Sequence, residues 1–258
     1  MNQPIIDEFR TNGGVVGGPF EGAPLLLMTT AGARTGRPHT TPAAYVNDGG
    51  RLLVFATNAG SARHPQWFHN LVADPQVTIE IGERVLAARA EVLTGSERDA
   101  AYEAQAARDP AFRAYEAATG RVIPVVALHP LKLDPARLAA LGVQLKRHHA
   151  ALREELVRLR EDPEARRDLM SHCLAFCSHL RLHHVREDGA FTAIENEFPD
   201  LAPVVARLRA EHRVIAKALT EVEATGDVDG LLEELDAHFA YEEEHLLVTS
   251  AGPPSASA

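Results

Sequence analysis

The chain has 258 residues, 45% of them apolar and 24% charged, and a formal net charge of -10. That length exceeds the usual single-domain size of about 100 to 200 residues and predicts two domains, each with its own core. The negative balance, with no basic patch to offset it, argues against nucleic acid or an anionic membrane surface as the main partner, and no apolar stretch is long enough to span a bilayer.

In chain order, residues 1–10 carry Asp7 and Glu8 and lack the charged and apolar regions of a secretory signal. The two cysteines, Cys173 and Cys177, fit a reducing compartment without a disulfide framework, so the expected location is cytoplasmic. Gly13-Gly14 and Gly17-Gly18 read as a flexible lead-in. Short β-like runs follow at 25–30, 40–46, 52–57, 77–81, 85–93 and 122–128. Asn47-Asp48-Gly49-Gly50 and Gly82 mark hairpin turns, and Gly95-Ser96-Glu97 opens a helix running to about Arg108. Consecutive hairpins imply an antiparallel sheet or small barrel. No strand, glycine-rich turn and helix follow one another as a dinucleotide-binding unit, which argues against a Rossmann domain.

Within this half, Thr29-Thr30-Ala31-Gly32-Ala33-Arg34-Thr35-Gly36-Arg37-Pro38-His39-Thr40-Thr41-Pro42 places two arginines around a tight turn rich in hydroxyls and backbone amides. Such a turn can cradle a phosphate or carboxylate, although local chemistry alone also fits a solvated hairpin loop. Together with Phe9-Arg10, Asn58-Ala59-Gly60, His64-Pro65-Gln66-Trp67-Phe68-His69-Asn70-Leu71 and Arg121, the stretch resembles the deazaflavin-dependent nitroreductase and quinone reductase family over nearly all of residues 4–130. The resemblance implies a split β-barrel (α+β) that binds the 8-hydroxy-5-deazaflavin coenzyme. It further implies that Arg34, Thr35 and Arg37 hold the phosphate or acidic tail, that Thr40, Thr41, Pro42, Asn58, Ala59 and Gly60 line the ring, and that Trp67 and Asn70 pack nearby. His39 stands where relatives often carry another basic residue. Phe112 and Tyr115 lie where the family tends to place aromatics over the acceptor, and Tyr115 is the candidate proton donor. Plain helix packing is the competing reading for Trp67 and Asn70, and a surface helix contact for Tyr115.

The boundary to the second half falls near 130–135, and the texture changes there from strand-like runs to long helical periodicity that carries most of the 13 histidines. Four helical stretches are expected, with Pro163 between the first two, Pro199 and Pro203 opening the third, and Gly226 and Gly230 before the fourth. The first seam runs Leu141, Leu145, His149, Leu152, Leu156, Leu159, and the second Leu169, Cys173, Phe176, Leu180, His183, Glu187, Phe191, Ile194. The third runs Leu201, Val205, Leu208, His212, Ile215, Leu219, Val222, and the fourth Leu231, Leu235, His238, Glu242, Leu246. Six residues able to ligate metal, His149, His183, Glu187, His212, His238 and Glu242, thus point into one core. A buried unpaired carboxylate costs several kcal/mol or stays protonated, and a shared cation removes that cost. Imidazole and carboxylate ligands suit iron, manganese or zinc, and two metals bridged by Glu187 and Glu242 are expected. His184, Asp188 and Glu243, one residue off the seams, read as partners of the ligands or solvated neighbours.

The run His183-His184-Val185-Arg186-Glu187-Asp188, with His149, Glu211-His212 and His238-Phe239-Ala240-Tyr241-Glu242-Glu243, resembles the haemerythrin-type HHE cation-binding domain over about 140–248. The resemblance implies an all-α up-down-up-down four-helix bundle with a non-haem di-iron centre that meets oxygen or related oxidants. Oxygen-carrying haemerythrins place a further histidine four positions after the third-helix ligand, where this chain has Ala216. The whole is therefore expected as a split barrel at 1–130, a bundle at 138–248 and a disordered tail at 249–258. The expected activity is hydride transfer from reduced deazaflavin to a quinone or nitroaromatic acceptor, joined to dioxygen or peroxide chemistry at iron. A homodimer is compatible with this reading. The rival is a non-catalytic oxygen, iron or redox sensor whose barrel binds another flavin, haem or lipid.

Overall fold

The computed structural model describes residues 2–132, 135–161, 169–225 and 229–247. Contacts divide the chain into two compact units, Met1–Leu131 and Lys132–Ala258.

The first unit runs α1 (Gln3–Thr11), β1 (Leu25–Ala31), β2 (Pro38–Asp48), β3 (Arg51–Phe55), α2 (Gln66–Ala73), β4 (Gln76–Ile81), β5 (Arg84–Val92), α3 (Gly95–Arg108), α4 (Ala111–Thr119) and β6 (Val125–Pro130). Its six strands close into an antiparallel barrel in the order β1-β2-β3-β6-β5-β4. Alternation along each strand explains the layers. Leu26 and Met28 of β1 and Val126 and Leu128 of β6 point into the barrel with Val54, Val77 and Ile79. Leu25 and Leu27 face outward, under Ile6 and Phe9 of α1. Val125 and Ala127 face outward, packed with Tyr102 and Ala106 of α3. Every residue of β1 is buried because both its faces are covered.

The turn residues behave as their chemistry requires. Gly49 and Gly50, at φ 60° and 95°, close the β2–β3 hairpin, and Gly82 at φ 58° closes β4–β5. The glycine-rich lead-in is not loose. The Cβ of an alanine at Gly14 would stand 2.7 Å from the Gly82 Cα, so this segment is wedged against the β4–β5 turn. Nor are residues 1–10 featureless, since α1 buries Ile6 and Phe9 on the barrel wall. The helix at Gly95 starts after Thr94, which makes no side-chain capping bond.

The second unit contains α5 (Pro135–Glu161), α6 (Leu169–Glu197), α7 (Ala202–Thr225) and α8 (Asp229–Leu247). Arg209 meets Glu195 while Arg181 meets Thr220, so α6 and α7 run antiparallel. Arg207 lies over Tyr241 while Glu211 meets His238, which makes α7 and α8 antiparallel, and Arg153 with His149 against Asp236 and Glu243 does the same for α5 and α8. The seam leucines Leu152, Leu156, Leu180, Leu219, Leu231 and Leu235 join Ile215, Val222 and Phe239 in one buried cluster. Pro163, Gly226 and the tail expected at 249–258 lie outside the described residues, as do the side chains of Cys173 and Cys177.

Candidate functional site

In the barrel unit the register gathers the expected cofactor residues toward one end. Ala31 pairs with Pro38 and Phe55 with Val125, so the β1–β2 turn and the segment after β3 both leave the barrel at the end where Thr30 meets Val77. Arg34, Thr35 and Arg37 are exposed on the first turn, and neither arginine has an ion-pair partner among the described residues. Thr40, Thr41 and Pro42 follow half-buried on β2, with Thr40 Oγ1 2.8 Å from Thr29 Oγ1. Asn70 is buried, its Oδ1 accepting from the Ala33 N–H at 3.1 Å and its Nδ2 donating to Thr30 Oγ1 at 3.0 Å. It therefore fixes the turn from α2. Trp67, one helical turn earlier, packs among Leu71 and the barrel interior.

After β3, Asn58, Ala59 and Gly60 take left-handed φ values of 49°, 50° and 77° in succession. The Cβ of an alanine at Gly60 would lie 3.5 Å from the Tyr115 Cα, which sets α4 directly against this turn. The Tyr115 ring meets Phe112 edge-on at 5.9 Å, and Phe112 meets Phe55 at 5.1 Å. A groove of about 320 Å³ opens elsewhere, between Asp48, Arg51 and Phe55 and the α3 residues Glu97, Ala101 and Arg108. Among the expected cofactor residues none lines it.

In the helical unit all six expected ligands are buried together. Ligand atoms of His149, His183, Glu187 and Glu242 lie within 4.8 Å of one another, as do those of His184, Glu187, His212 and His238. Glu187 belongs to both groups, whereas Glu242, expected from the sequence to bridge as well, belongs to the first alone. His184, read from the sequence as a neighbour, is 5% exposed and stands inside the second group. The Nε2 of His184 and all four carboxylate oxygens of Glu187 and Glu242 are buried without a hydrogen-bond partner among the described residues. His183 Nε2 comes within 3.0 Å of Glu187 Oε1, yet the angles are not those of a hydrogen bond. Buried carboxylate oxygens gathered with imidazole nitrogens and left without hydrogen bonds suit a metal-ligand set.

The outer nitrogens are held as well. Nδ1 of His149 lies 2.9 Å from Glu243, Nδ1 of His212 2.9 Å from Asp188, and Nδ1 of His238 2.8 Å from Glu211. Carboxylates in that position fix ring orientation and turn Nε2 inward, where it meets the Nε2 of a second histidine. Arg153 binds Glu243 at 2.8 Å and Arg207 binds Glu211 at 2.7 Å. Glu211 and His184 escape a seam reading because a helix face at a crowded centre widens to take in the position next to the heptad residue.

Two helix pairs repeat one device. His183, Glu187 and Asp188 on α6 correspond to His238, Glu242 and Glu243 on α8, and His149 on α5 to His212 on α7. Distances correspond too: His149 to His183 is 3.2 Å and His212 to His238 3.1 Å, while His149 to Glu242 and His212 to Glu187 are both 3.4 Å. The match breaks at two places. Glu211 on α7, which meets His238, has His148 on α5 as its counterpart, whose ring meets His183 at 4.6 Å. His184 stacks on His212 at 4.2 Å, and its counterpart Phe239 stacks on His149 at 4.1 Å.

Charge is distributed unevenly over the site. Burial opposes a charge on His212, but Asp188 and Glu187 outweigh it and raise the imidazole to about 10. Burial and the neighbouring His212 lower His238 to about 4, and the same two causes hold His184 well below the usual range. Burial and then Glu187 push Glu242 up to about 7. Glu187, though buried, is held well below the usual carboxylate range by His183 and His212.

Residues 4–130 match the family model described as F420H(2)-dependent quinone reductase, and residues 143–248 the model described as hemerythrin HHE cation binding domain. An F420H(2)-dependent quinone reductase of Mycobacterium tuberculosis (strain ATCC 25618 / H37Rv) is 36% identical over 124 residues, which cover 46% of this chain and 83% of that one. Among solved structures, an F420-H2 dependent reductase is 32% identical with a TM-score of 0.38, covering 41% of this chain and 94% of that one. Another, described as a domain-swapped dimer, is 30% identical with a TM-score of 0.40, covering 50% and 94%. No described helix is long and apolar enough to cross a membrane.

Proposed function

Since the chain belongs to the F420H(2)-dependent quinone reductase family, a family of oxidoreductases, and carries a hemerythrin HHE cation-binding domain at residues 143–248, we propose a redox protein with two sites. The barrel transfers hydride from the reduced 8-hydroxy-5-deazaflavin coenzyme to a quinone or nitroaromatic acceptor. The bundle holds a non-haem di-iron centre that binds or reacts with dioxygen or peroxide.

The observation that carries the barrel reading is the turn itself: Arg34 and Arg37 stand exposed without ion-pair partners among the described residues, at the end where Thr40, Thr41 and the Asn58–Gly60 turn converge. Two unneutralised guanidinium groups suit a phosphate or polycarboxylate tail. The residues of the bundle fit a cation pair, because five buried polar atoms converge without hydrogen-bond partners. His149, His183 and Glu242 would hold one metal, His184, His212 and His238 the other, with Glu187 shared.

When bound, the reduced deazaflavin supplies a hydride and the metal pair supplies Lewis acidity and one-electron capacity. The chain's own residues do the remaining work. Arg34, Thr35 and Arg37 anchor the acidic tail, while Thr40, Thr41, Pro42, Asn58, Ala59 and Gly60 form walls against the ring and keep water from it. Asn70 holds the anchoring turn in place, and Trp67 supports it from the barrel interior. A quinone that accepts a hydride needs one further proton, which Tyr115 gives from its hydroxyl.

Purified protein is titrated with reduced deazaflavin under a quinone and, separately, under air, with metal content determined on the same sample. Turnover with quinone and roughly two irons per chain is the expected result. Failure to bind or oxidise the coenzyme with any quinone, while iron is retained, would replace this reading by a haemerythrin-like sensor on a repurposed barrel.

A further inference from the structure

The turn after β3 is costly in itself. Asn58 and Ala59 both sit in the left-handed region, where a residue with a Cβ is populated roughly tenfold or more below the right-handed one. Two such residues in succession, followed by Gly60 at φ 77°, persist only if something outside the turn fixes them. The turn's own bonds are few: Gly60 N–H donates to the Thr57 carbonyl at 3.1 Å, Ser61 N–H to the Asn58 carbonyl at 3.0 Å, and Asn58 Nδ2 to the Arg63 carbonyl at 3.0 Å.

Arg121 supplies what is missing. Its Nη2 donates to the carbonyls of Ala56 at 2.9 Å and Thr57 at 2.8 Å, and its Nε to the carbonyl of Ser61 at 3.0 Å. These acceptors bracket the left-handed residues on both sides. Nη1 lies 2.8 Å from Nδ1 of His64, and Thr119 Oγ1 adds a second bond to the Ser61 carbonyl at 2.9 Å. Burial and the adjacent guanidinium lower His64, and because a guanidinium only donates, Nδ1 is the acceptor. Four of the five N–H donors of one half-buried guanidinium are thus spent on a single loop, and the guanidinium faces no carboxylate in any ion pair among the described residues.

We infer that Arg121 is a positioning residue that clamps the strained Asn58–Gly60 turn in the shape that receives the deazaflavin ring. The inference rests on the proposed reading of the barrel for its ligand, but the clamp can be read without one. Amide exchange of the full chain in the absence of coenzyme is measured for the wild type, Arg121→Met and Arg121→Lys. Loss of the clamp accelerates exchange at Gly60 and Ser61 at least tenfold in Arg121→Met, while β1 and β6 amides stay protected. Arg121→Lys, with one cationic donor group left, falls between.

Affinity for oxidised 8-hydroxy-5-deazaflavin coenzyme is then read by its fluorescence. Arg121→Met binds at least tenfold more weakly than the wild type. Ala59→Gly, which removes one left-handed side chain, recovers at least threefold of that loss in the Arg121→Met background, a larger factor than the same change gives in the wild type. A merely structural arginine would lower the melting temperature without this background-dependent recovery. Unchanged exchange at Gly60 and Ser61 in Arg121→Met overturns the clamp. Unchanged coenzyme affinity in that variant overturns its role in binding. A wild type that binds no coenzyme overturns the proposed reading and this role with it, and leaves the clamp to be decided by the exchange result.

Discussion

At the residue scale, the His184 and Phe239 pair decides how alike the two proposed metal positions are. Each ring stacks on a histidine of a neighbouring helix, His184 on His212 and Phe239 on His149, but only His184 brings a nitrogen. His184→Phe gives both positions the same stacked ring, a side chain already accommodated at the corresponding place. That variant is expected to stay folded and to bind one of its metals at least tenfold more weakly, the usual scale for losing a ligand or its direct support. Metal content after dialysis against a graded chelator checks this, and two equally retained metals would remove His184 from the ligand set. The titrations give a second expectation. His212 near 10 and Glu242 near 7 both carry protons that a cation must displace. Of the protons released on loading, Glu242 should contribute about one at pH 6 and little at pH 8.5, while His212 contributes about one at both. Calorimetry in buffers of different ionisation enthalpy reads the difference, and a release that does not change over this range would deny Glu242 its raised value. Six of the inward residues are legible in the sequence because a 3.6-residue period repeats the seam wherever a side chain is buried. His184 is not, since its position depends on how closely α6 and α7 approach, which no single helix encodes.

Among elements, the barrel's strands are legible from alternation and from glycine at hairpin turns, and all six appear with bounds moved by a few residues. Their closure is not legible, because β3 pairs with β6 across about 70 intervening residues and nothing local specifies that partner. The amino-terminal helix is hidden for a related reason. α1 has no side-chain capping bond at Asn2, and its burial comes from β1, which lies well beyond it in sequence. Gly14 tests that packing. Gly22, at φ 74°, has nothing within 4 Å of where a Cβ would stand and serves as the control. Gly22→Ala should cost about 1 kcal/mol from the left-handed backbone alone. Gly14→Ala adds a collision with the Gly82 backbone at 2.7 Å and should cost roughly 3 kcal/mol or more. Denaturant midpoints of the two variants separate the terms, and equal losses would mean that the approach to Gly82 relaxes without cost.

For the whole molecule, the question is whether two cores give two cooperative transitions. The barrel buries its own clusters around Leu26, Val54 and Val126, and the helical unit its own around Leu180, Leu219 and Leu235. Each is of a size that unfolds as a single step. A ligand that binds only the folded state adds RT ln(1 + [L]/Kd), about 2.7 kcal/mol at a hundredfold excess over Kd. Among the described residues only the helical unit holds the convergent unpartnered carboxylates that a cation would relieve, so only its transition should depend on metal. Calorimetry of the full chain should therefore resolve two transitions, with chelation lowering one by roughly 10 °C or more and leaving the other within a degree or two. The deazaflavin coenzyme should raise the second alone. Reciprocity sharpens the test: if metal loading altered coenzyme affinity, the coenzyme would have to shift the metal-dependent transition by the same free energy. Independent shifts would mean that any cooperation between the sites passes through diffusing reactants. A common shift would mean that the two units are thermodynamically coupled within the chain.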